Sequence, residues 1–185
     1  MSANSGLLRD LVTQAEALAP IRVAVVDAAQ RAVIDTLREA HELGFVEPRL
    51  VGDPKAIKTI CDDVGWQIAE EWLVPASSDG FAARKAAELA RERKADVIMK
   101  GNIHTDALMH VLLDREYGVR VPGRRVSHVF LIEVPTQERL LGVTDAAINI
   151  APDLNAKAHI LQNAIDLFRN LGVENPRAAV LSAVE

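Results

Sequence analysis

The sequence predicts an α/β protein, with a mostly parallel sheet and helices on both of its faces. Three observations carry this reading. Short apolar runs alternate along the chain with longer segments of helical periodicity, as in repeated βα units. The runs IRVAVV at 21–26, apolar but for Arg22, and VIM at 97–99 read as buried strands. Aromatic residues make up only 4% of the 185, so the core must be Val, Ile, Leu and Ala, as suits helices packed on a sheet.

Taken in order, Leu7, Leu8, Leu11, Val12, Ala15 and Leu18 recur at helical spacing, and Pro20 stops that helix. A buried strand follows over 21–26, with Asp27 placed to cap the next helix. That helix runs from about Ala29 to Leu43, with Gly44 as its stop. Val46 to Val51 is a second strand, and Pro48 within it predicts an edge position or an irregular start. Gly52-Asp53-Pro54 is a turn with a helix start. Ala56, Ile57, Ile60 and Val64 then form an apolar stripe closed by Gly65. A strand is expected around Glu71–Val74. Ser77-Ser78-Asp79 caps a long helix, Gly80 to Lys94, which feeds the strand Val97–Met99 and a helix from about His104 to Leu113.

Beyond it the character changes. Glu116 to Arg125 is turn-rich, carries Arg120, Arg124 and Arg125, and marks a boundary or hinge. Val126–Val134 and Glu138–Val143 read as an antiparallel pair around Pro135-Thr136. Thr144–Asn149 reads as a third strand or a strand end with polar residues at its mouth. Pro152-Asp153 starts a helix with Leu154, Ala158, Leu161, Ile165 and Phe168 on its packed side, ended by Gly172. Ala178–Leu181 is a last strand.

Composition narrows the function classes. The length fits one medium domain, or one and a part. The net charge of −5 gives no positive field for nucleic acid, and no basic amphipathic stripe suits a membrane surface. No apolar run approaches the roughly 18 residues of a membrane span, and MSANSGLLRD lacks the basic and apolar regions of a signal peptide. Cys61 is the only cysteine, so no internal disulfide can form, and no Cys/His cluster has zinc spacing. The expectation is a cytoplasmic protein with no metal, no nucleic-acid partner and no membrane partner.

The stretch with most chemical content is Ala95–Leu108, ADVIMKGNIHTDAL. A strand ends at Lys100-Gly101-Asn102, and a helix whose first N–H groups lack internal partners begins by His104-Thr105. A turn of this kind beside a cation suits phosphate or another anion. The alternative is a solvated turn with a surface lysine. The first βα turn, Asp27-Ala28-Ala29-Gln30, has no glycine fingerprint for a dinucleotide.

Four stretches read together carry a family resemblance. They are Ala95 to Gly101 with His104-Thr105-Asp106; Arg125 to Leu131 (RVSHVFL); Thr144 to Asn149 (TDAAIN); and Ala179-Val180-Leu181-Ser182. In this order and spacing the chain resembles the phosphate acetyl/butyryl transferase family, closer to its butyryl (phosphotransbutyrylase-like) branch, and it does so over essentially its whole length. The resemblance implies a two-domain fold related to the isocitrate/isopropylmalate dehydrogenases, with the active site in the cleft between domains. Family members continue past Leu181-Ser182, so the chain is similar to an N-terminal portion: a first α/β domain at 1–115 and an incomplete second domain at 116–185.

The chemistry so implied is acyl exchange between coenzyme A and orthophosphate, both held as substrates, in a homo-oligomer. Such a site needs cations or free N–H groups for phosphate, donors for a tetrahedral oxyanion, and a base near the thiol. Thr105, Ser127 and Asp145 fall nearest the chemistry, and Lys100, Gly101, Asn102, His104, Arg125, His128 and Asn149 fall on the substrates. Each has a plainer alternative. Lys100 and Arg125 otherwise are surface cations; Asn102, His104 and Thr105 cap a helix; Ser127 satisfies a nearby backbone group; His128 is structural; Asp145 and Asn149 build a turn. Cys61, Trp66 and Trp72 read as core. Turnover by this portion alone is expected to be poor or absent, because one wall of a cleft orients only part of the substrates. The runner-up is a non-catalytic ligand-binding or assembly fragment of such an enzyme. A metal-dependent dehydrogenase of the related fold ranks last, lacking a nicotinamide signature and metal carboxylates.

Overall fold

The computed structural model describes residues 6–137 and 139–181. The chain forms two compact units, Ala15–Arg120 and Met1–Gln14 with Val121–Glu185. Helix α1, Gly6–Glu16, therefore begins in one unit and ends in the other.

In the unit Ala15–Arg120 the order is β1 (Ile21–Val26), α2 (Arg31–Glu42), β2 (Val46–Gly52), α3 (Pro54–Asp63), a single 3-10 turn at Glu70–Trp72, β3 (Leu73–Pro75), α4 (Asp79–Arg91), β4 (Val97–Lys100) and α5 (Thr105–Leu112). The four strands form a parallel sheet in the order β3-β2-β1-β4. Side chains of β1 alternate between two cores, as strand geometry requires. Val23 and Val25 join Ile34 and Leu37 of α2 and Ile57 and Cys61 of α3. Ala24 and Val26 face the other way, onto Ala82, Ala83 and Ala86 of α4 and Leu108 of α5. Helices thus cover both faces. The alanine run of α4 allows close approach to the sheet, and all four of its buried positions are Ala. Trp66, 6% exposed, and Trp72 pack on the first core, with the His41 ring 4.7 Å from Trp72 in an edge contact.

Several local signals act as their residue types dictate. Asp53 caps α3 by accepting from the Lys55 N–H at 2.9 Å, with Pro54 at the first helical position. Ser78 caps α4. Gly44 and Gly65 take positive φ just past α2 and α3.

Four expectations need correction here. Asp27 does not cap α2: it has φ +54°, and the cap position is Gln30, with no side-chain bond. The strand expected around Glu71–Val74 starts later, because the 3-10 turn occupies Glu70–Trp72. Pro48 lies in a strand with neighbours on both sides. In β2, Val51 accepts from the Ala28 N–H, so alternate residues face β1. Pro48, two positions from Leu50, faces β3, which pairs only from Leu50 onward. The N–H that proline lacks would have had no partner there. The run at 97–99 is not buried: β4 pairs with β1 alone among the described strands, and Val97 is 42% exposed.

The other unit contains β5 (Phe130–Glu133) and β6 (Leu140–Val143), an antiparallel pair, followed by α6 (Leu154–Asn170). The Gln137 N–H closes the connecting turn on the Val134 carbonyl at 2.8 Å. The Leu8 N–H of α1 donates to the Glu133 carboxylate at 2.6 Å. Gly142 admits the ring of Phe168, which a Cβ would overlap. Asp153 caps α6, accepting from the Ala156 N–H at 2.7 Å, and Gly172, at φ +86°, follows its end.

Here too the sequence reading is corrected. Strand β5 starts at Phe130 rather than Val126, and of the two readings of Thr144–Asn149 the third strand falls away, while the polar segment at a strand end holds, since β6 stops at Val143. The buried face of α6 runs through Ala156 and Ile160; Leu154 is 85% exposed and Ala158 is exposed as well. Leu154 is the first residue after the cap, outside the stripe that the helix turns inward. Ala178–Leu181 is not a strand, since no described strand pairs with it, and Leu181 is 90% exposed. Ser182 and Glu138 lie outside the described residues.

Candidate functional site

In the unit Ala15–Arg120, the strand order locates a crevice. From β1 the chain steps to β2 and then β3 in one direction, and β4 returns to the far side of β1. The connecting helices leave in opposite directions at that point, and α/β sheets bind ligands beyond the carboxyl ends of such strands. Lys100, Gly101 and Asn102 occupy this place. Lys100 is in register with Val26. The Gly101 N–H donates to the Val26 carbonyl at 2.9 Å and the Asn102 N–H to the Asp27 carbonyl at 2.8 Å. These bonds draw the turn after β4 onto the turn after β1 so closely that only glycine fits at 101. A Cβ there would stand 2.6 Å from the Val26 oxygen and closer still to the Asp27 oxygen.

Asp27, read from the sequence only as a helix cap, joins this set unexpectedly. Burial raises its carboxyl pKa, and the nearby Asp79 charge adds to this, against a hydrogen bond with the Asn102 side chain. The signal for it, an acidic residue ending the first strand, gains meaning only once the strand order is known. Lys100 is exposed and its Nζ donates to the Gly101 carbonyl at 3.3 Å. His104 holds the cap position of α5 with extended backbone and no side-chain cap bond. Thr105 begins the helix, and Asp106 in its first turn sets a negative charge against the free N–H groups.

The second polar set lies in the unit that holds β5, β6 and α6. The Asp145 carboxylate accepts from the N–H groups of Ala147, Ile148 and Asn149 at 3.0, 3.1 and 3.2 Å, and from the Asn149 side-chain amide. Burial pushes this carboxyl up, but the four hydrogen bonds outweigh it and leave its pKa below the ordinary value. This ring of bonds closes 144–149 into a turn and prevents strand pairing there. The Asn149 amide also donates to the Val126 carbonyl at 2.9 Å, and the Thr144 hydroxyl donates to the His128 carbonyl at 2.6 Å. Backbone groups before Phe130 are thereby satisfied by side chains, and β5 starts late.

From α6, the Asn163 amide donates to the Arg125 carbonyl at 2.7 Å and to Ser127 Oγ at 2.9 Å. Arg124 donates to Asn163 Oδ1 at 3.1 Å and pairs with Asp166 at 2.9 Å. His128 sits edge-on to Phe130, ring centroids 4.2 Å apart, with Nδ1 buried and unpartnered among the described residues. The Arg125 side chain is exposed and has no ion pair among the described residues. Arg125, Ser127, His128, Asp145 and Asn149 therefore come together in one unit, as Lys100, Gly101, Asn102, His104 and Thr105 do in the other. Thr144 and Asn163 join the former set without having been expected there. Among the described residues no group of three or more His, Cys, Asp or Glu could hold a metal ion, and no helix is long and apolar enough to cross a membrane.

Comparison with known proteins bears on both sets. A phosphate acetyltransferase of Rhizobium meliloti is 40% identical over 175 residues, covering 95% of this chain and 55% of its own. A phosphate butyryltransferase of Clostridium acetobutylicum is 35% identical over 164 residues, covering 89% of this chain and 54% of its own. The chain thus spans about half the length of the curated relatives it matches. A phosphotransacetylase structure from Streptococcus pyogenes shares the fold with a TM-score of 0.77 at 16% identity, over 92% of this chain and 60% of that one. A branched-chain phosphotransacylase structure from Enterococcus faecalis gives 0.68 at 24% identity, over 89% and 57%. The family pattern described as phosphate acetyl/butaryl transferase matches residues 78–185, a span that contains every residue of the two sets except Asp27. With that match over more than half its length, the chain belongs to the phosphate acetyl/butaryl transferase family.

Proposed function

We propose that this chain binds orthophosphate and coenzyme A and takes part in exchanging an acetyl or butyryl group between them. The observation that carries the reading is the Lys100–Thr105 turn: it stands where the sheet order reverses, and it falls inside the family-matched span. In one direction the coenzyme A thiol attacks the carbonyl of an acyl phosphate; a C–S bond forms, the acyl C–O bond breaks, and phosphate leaves, taking up the thiol proton. In the other, a phosphate oxygen attacks the thioester and the thiol leaves. No enzyme nucleophile is needed, because both substrates are held together.

Lys100 in one unit and Arg125 in the other are each proposed as a cation for phosphate oxygens, with Gly101, Asn102 and His104 beside the former and His128 beside the latter as substrate-binding residues. Thr105 is the proposed hydroxyl donor to the developing oxyanion, which such a donor stabilises more strongly than the planar carbonyl, and Ser127 is the proposed hydroxyl donor to phosphate. Asp145 and Asn149 are proposed to orient the thiol; Asp145 does so as a carboxylate kept ionised by its four hydrogen bonds. A cytoplasmic setting suits Cys61, a lone and buried thiol. A homo-oligomer would cover Phe130, Ile132, Leu141 and Val143, which stand exposed on one face of the β5–β6 pair.

The test is thiol release from acetyl- and butyryl-coenzyme A by the purified chain, with phosphate present or replaced by sulfate. Slow release that requires phosphate is the expected result. Cys61 does not interfere, since burial pushes its pKa up to about 11. Release indifferent to phosphate, or none, overturns the transferase reading. The second reading, a ligand-binding fragment, draws on the chain spanning about half of its relatives' length, and it would then require coenzyme A binding without turnover.

A further inference from the structure

Asn163 sits on α6 three residues after the buried Ile160, which fixes its side chain against the segment 124–127. Its amide orientation follows from its partners. The Arg125 carbonyl can only accept, so the atom facing it at 2.7 Å is the nitrogen; the Arg124 guanidinium can only donate, so the atom facing it at 3.1 Å is the oxygen. The same nitrogen lies 2.9 Å from Ser127 Oγ. A nitrogen that carries only hydrogens makes the serine the acceptor in that contact. The serine's own hydrogen must then point elsewhere, and among the described residues Ser127 Oγ takes part in no other hydrogen bond. A hydroxyl that already accepts, with its hydrogen left over, suits a group that only accepts, such as an ionised phosphate oxygen.

We infer that Asn163 is a positioning residue that keeps the Ser127 hydroxyl as a hydrogen-bond donor to phosphate. This rests on the phosphate-binding reading above. Asn163 touches no substrate; it acts through Ser127 and through the Arg125 backbone. Replacing its nitrogen by an oxygen reverses the polarity at Ser127, because a carboxylate would accept the serine hydrogen and withdraw it from the ligand.

The experiment is a calorimetric titration of inorganic phosphate into the full 185-residue chain and into Ser127→Ala, Asn163→Asp, Asn163→Ala and the two double variants. Circular dichroism first establishes that each is folded; if Asn163→Asp is not, Asn163→Ala carries the comparison. Asn163→Asp is expected to weaken phosphate binding at least tenfold, about 1.4 kcal/mol, and by no more than Ser127→Ala does. Once Ser127→Ala is in place, either change at Asn163 is expected to have no further effect on affinity. A purely structural role would instead lower affinity equally with and without Ser127→Ala, and that result overturns the inference. Unchanged affinity in Asn163→Asp overturns it too, as does a wild-type chain that binds no phosphate. Phosphate binding governed by Asn163, in a chain that releases no thiol, would keep the inference and remove the transferase reading. Phosphate-dependent thiol release indifferent to Asn163→Asp would do the reverse.

Discussion

At Gly101 the chain has room for a hydrogen atom and nothing larger. The obstacles to a Cβ are the backbone oxygens of Val26 and Asp27, which cannot swing aside as a side chain can. Gly101→Ala should therefore destabilise the protein by about 1–3 kcal/mol, the range of an overpacked site, read as a lower urea midpoint with unchanged slope. A second residue-scale expectation concerns Asp96. Hydrogen bonds from the Arg22 side chain and backbone hold its carboxyl down to about 2. The folded value lies below the unfolded one, so this contact stabilises fully above about pH 4 and is lost as pH falls toward 2. Asp96→Asn should flatten the decline of stability over that window, measured by denaturant titration at each pH; an unchanged decline would count against the Arg22 contact. Residue-scale features were legible where they are local. Asp53, Ser78 and Asp153 cap the helices that follow them because their side chains reach N–H groups two or three residues on. Asp27 was not legible, because its neighbours Gly52 and Asn102 arrive from other strands.

Helices and strands differ in how far their sequences describe them. Period and caps set the extent of α2, α3 and α4 within a few residues. Whether a strand is central or at an edge depends on strand order, which an apolar run such as Val97–Met99 does not encode. Pro48 illustrates the converse, an interior strand tolerating proline because its neighbour starts two residues later. In α6 the expected positions Leu161, Ile165 and Phe168 are half-buried, whereas the first two, Leu154 and Ala158, are exposed. The structure sets a contrast: Ile160→Ala, at a 6% exposed position, should cost about 2–4 kcal/mol. Leu154→Ala, at 85% exposure, should stay within about 0.5 kcal/mol. Thermal melts of the two variants check this, and equal losses would return Leu154 to the core.

At the scale of the molecule, the two units have unequal means of stability. The unit Ala15–Arg120 has a four-stranded sheet with a core on each face. Among the described residues the other has a two-stranded pair with α6 and the start of α1, and a two-stranded pair is marginal on its own. Hydrogen exchange should find β1 the slowest, with weaker protection across β5 and β6 and least at Ala178–Leu181. Equal protection of β5 and β1 would contradict this ordering. The two polar sets were legible as sequence stretches, since each is nearly contiguous. Asn163 was not, because it reaches Ser127 across 36 residues of chain and resembles any polar residue of an amphipathic helix.

Lys100 and Arg125, both within the family-matched span, are each proposed to bind phosphate. Calorimetric titration of phosphate into the wild-type chain, Lys100→Ala and Arg125→Ala tests this most directly, once circular dichroism establishes that each is folded. A charge-assisted hydrogen bond contributes on the order of 1.5–3 kcal/mol, so each variant should bind roughly tenfold more weakly or worse. Unchanged affinity in both variants, or a wild-type chain that binds no phosphate, would contradict the account.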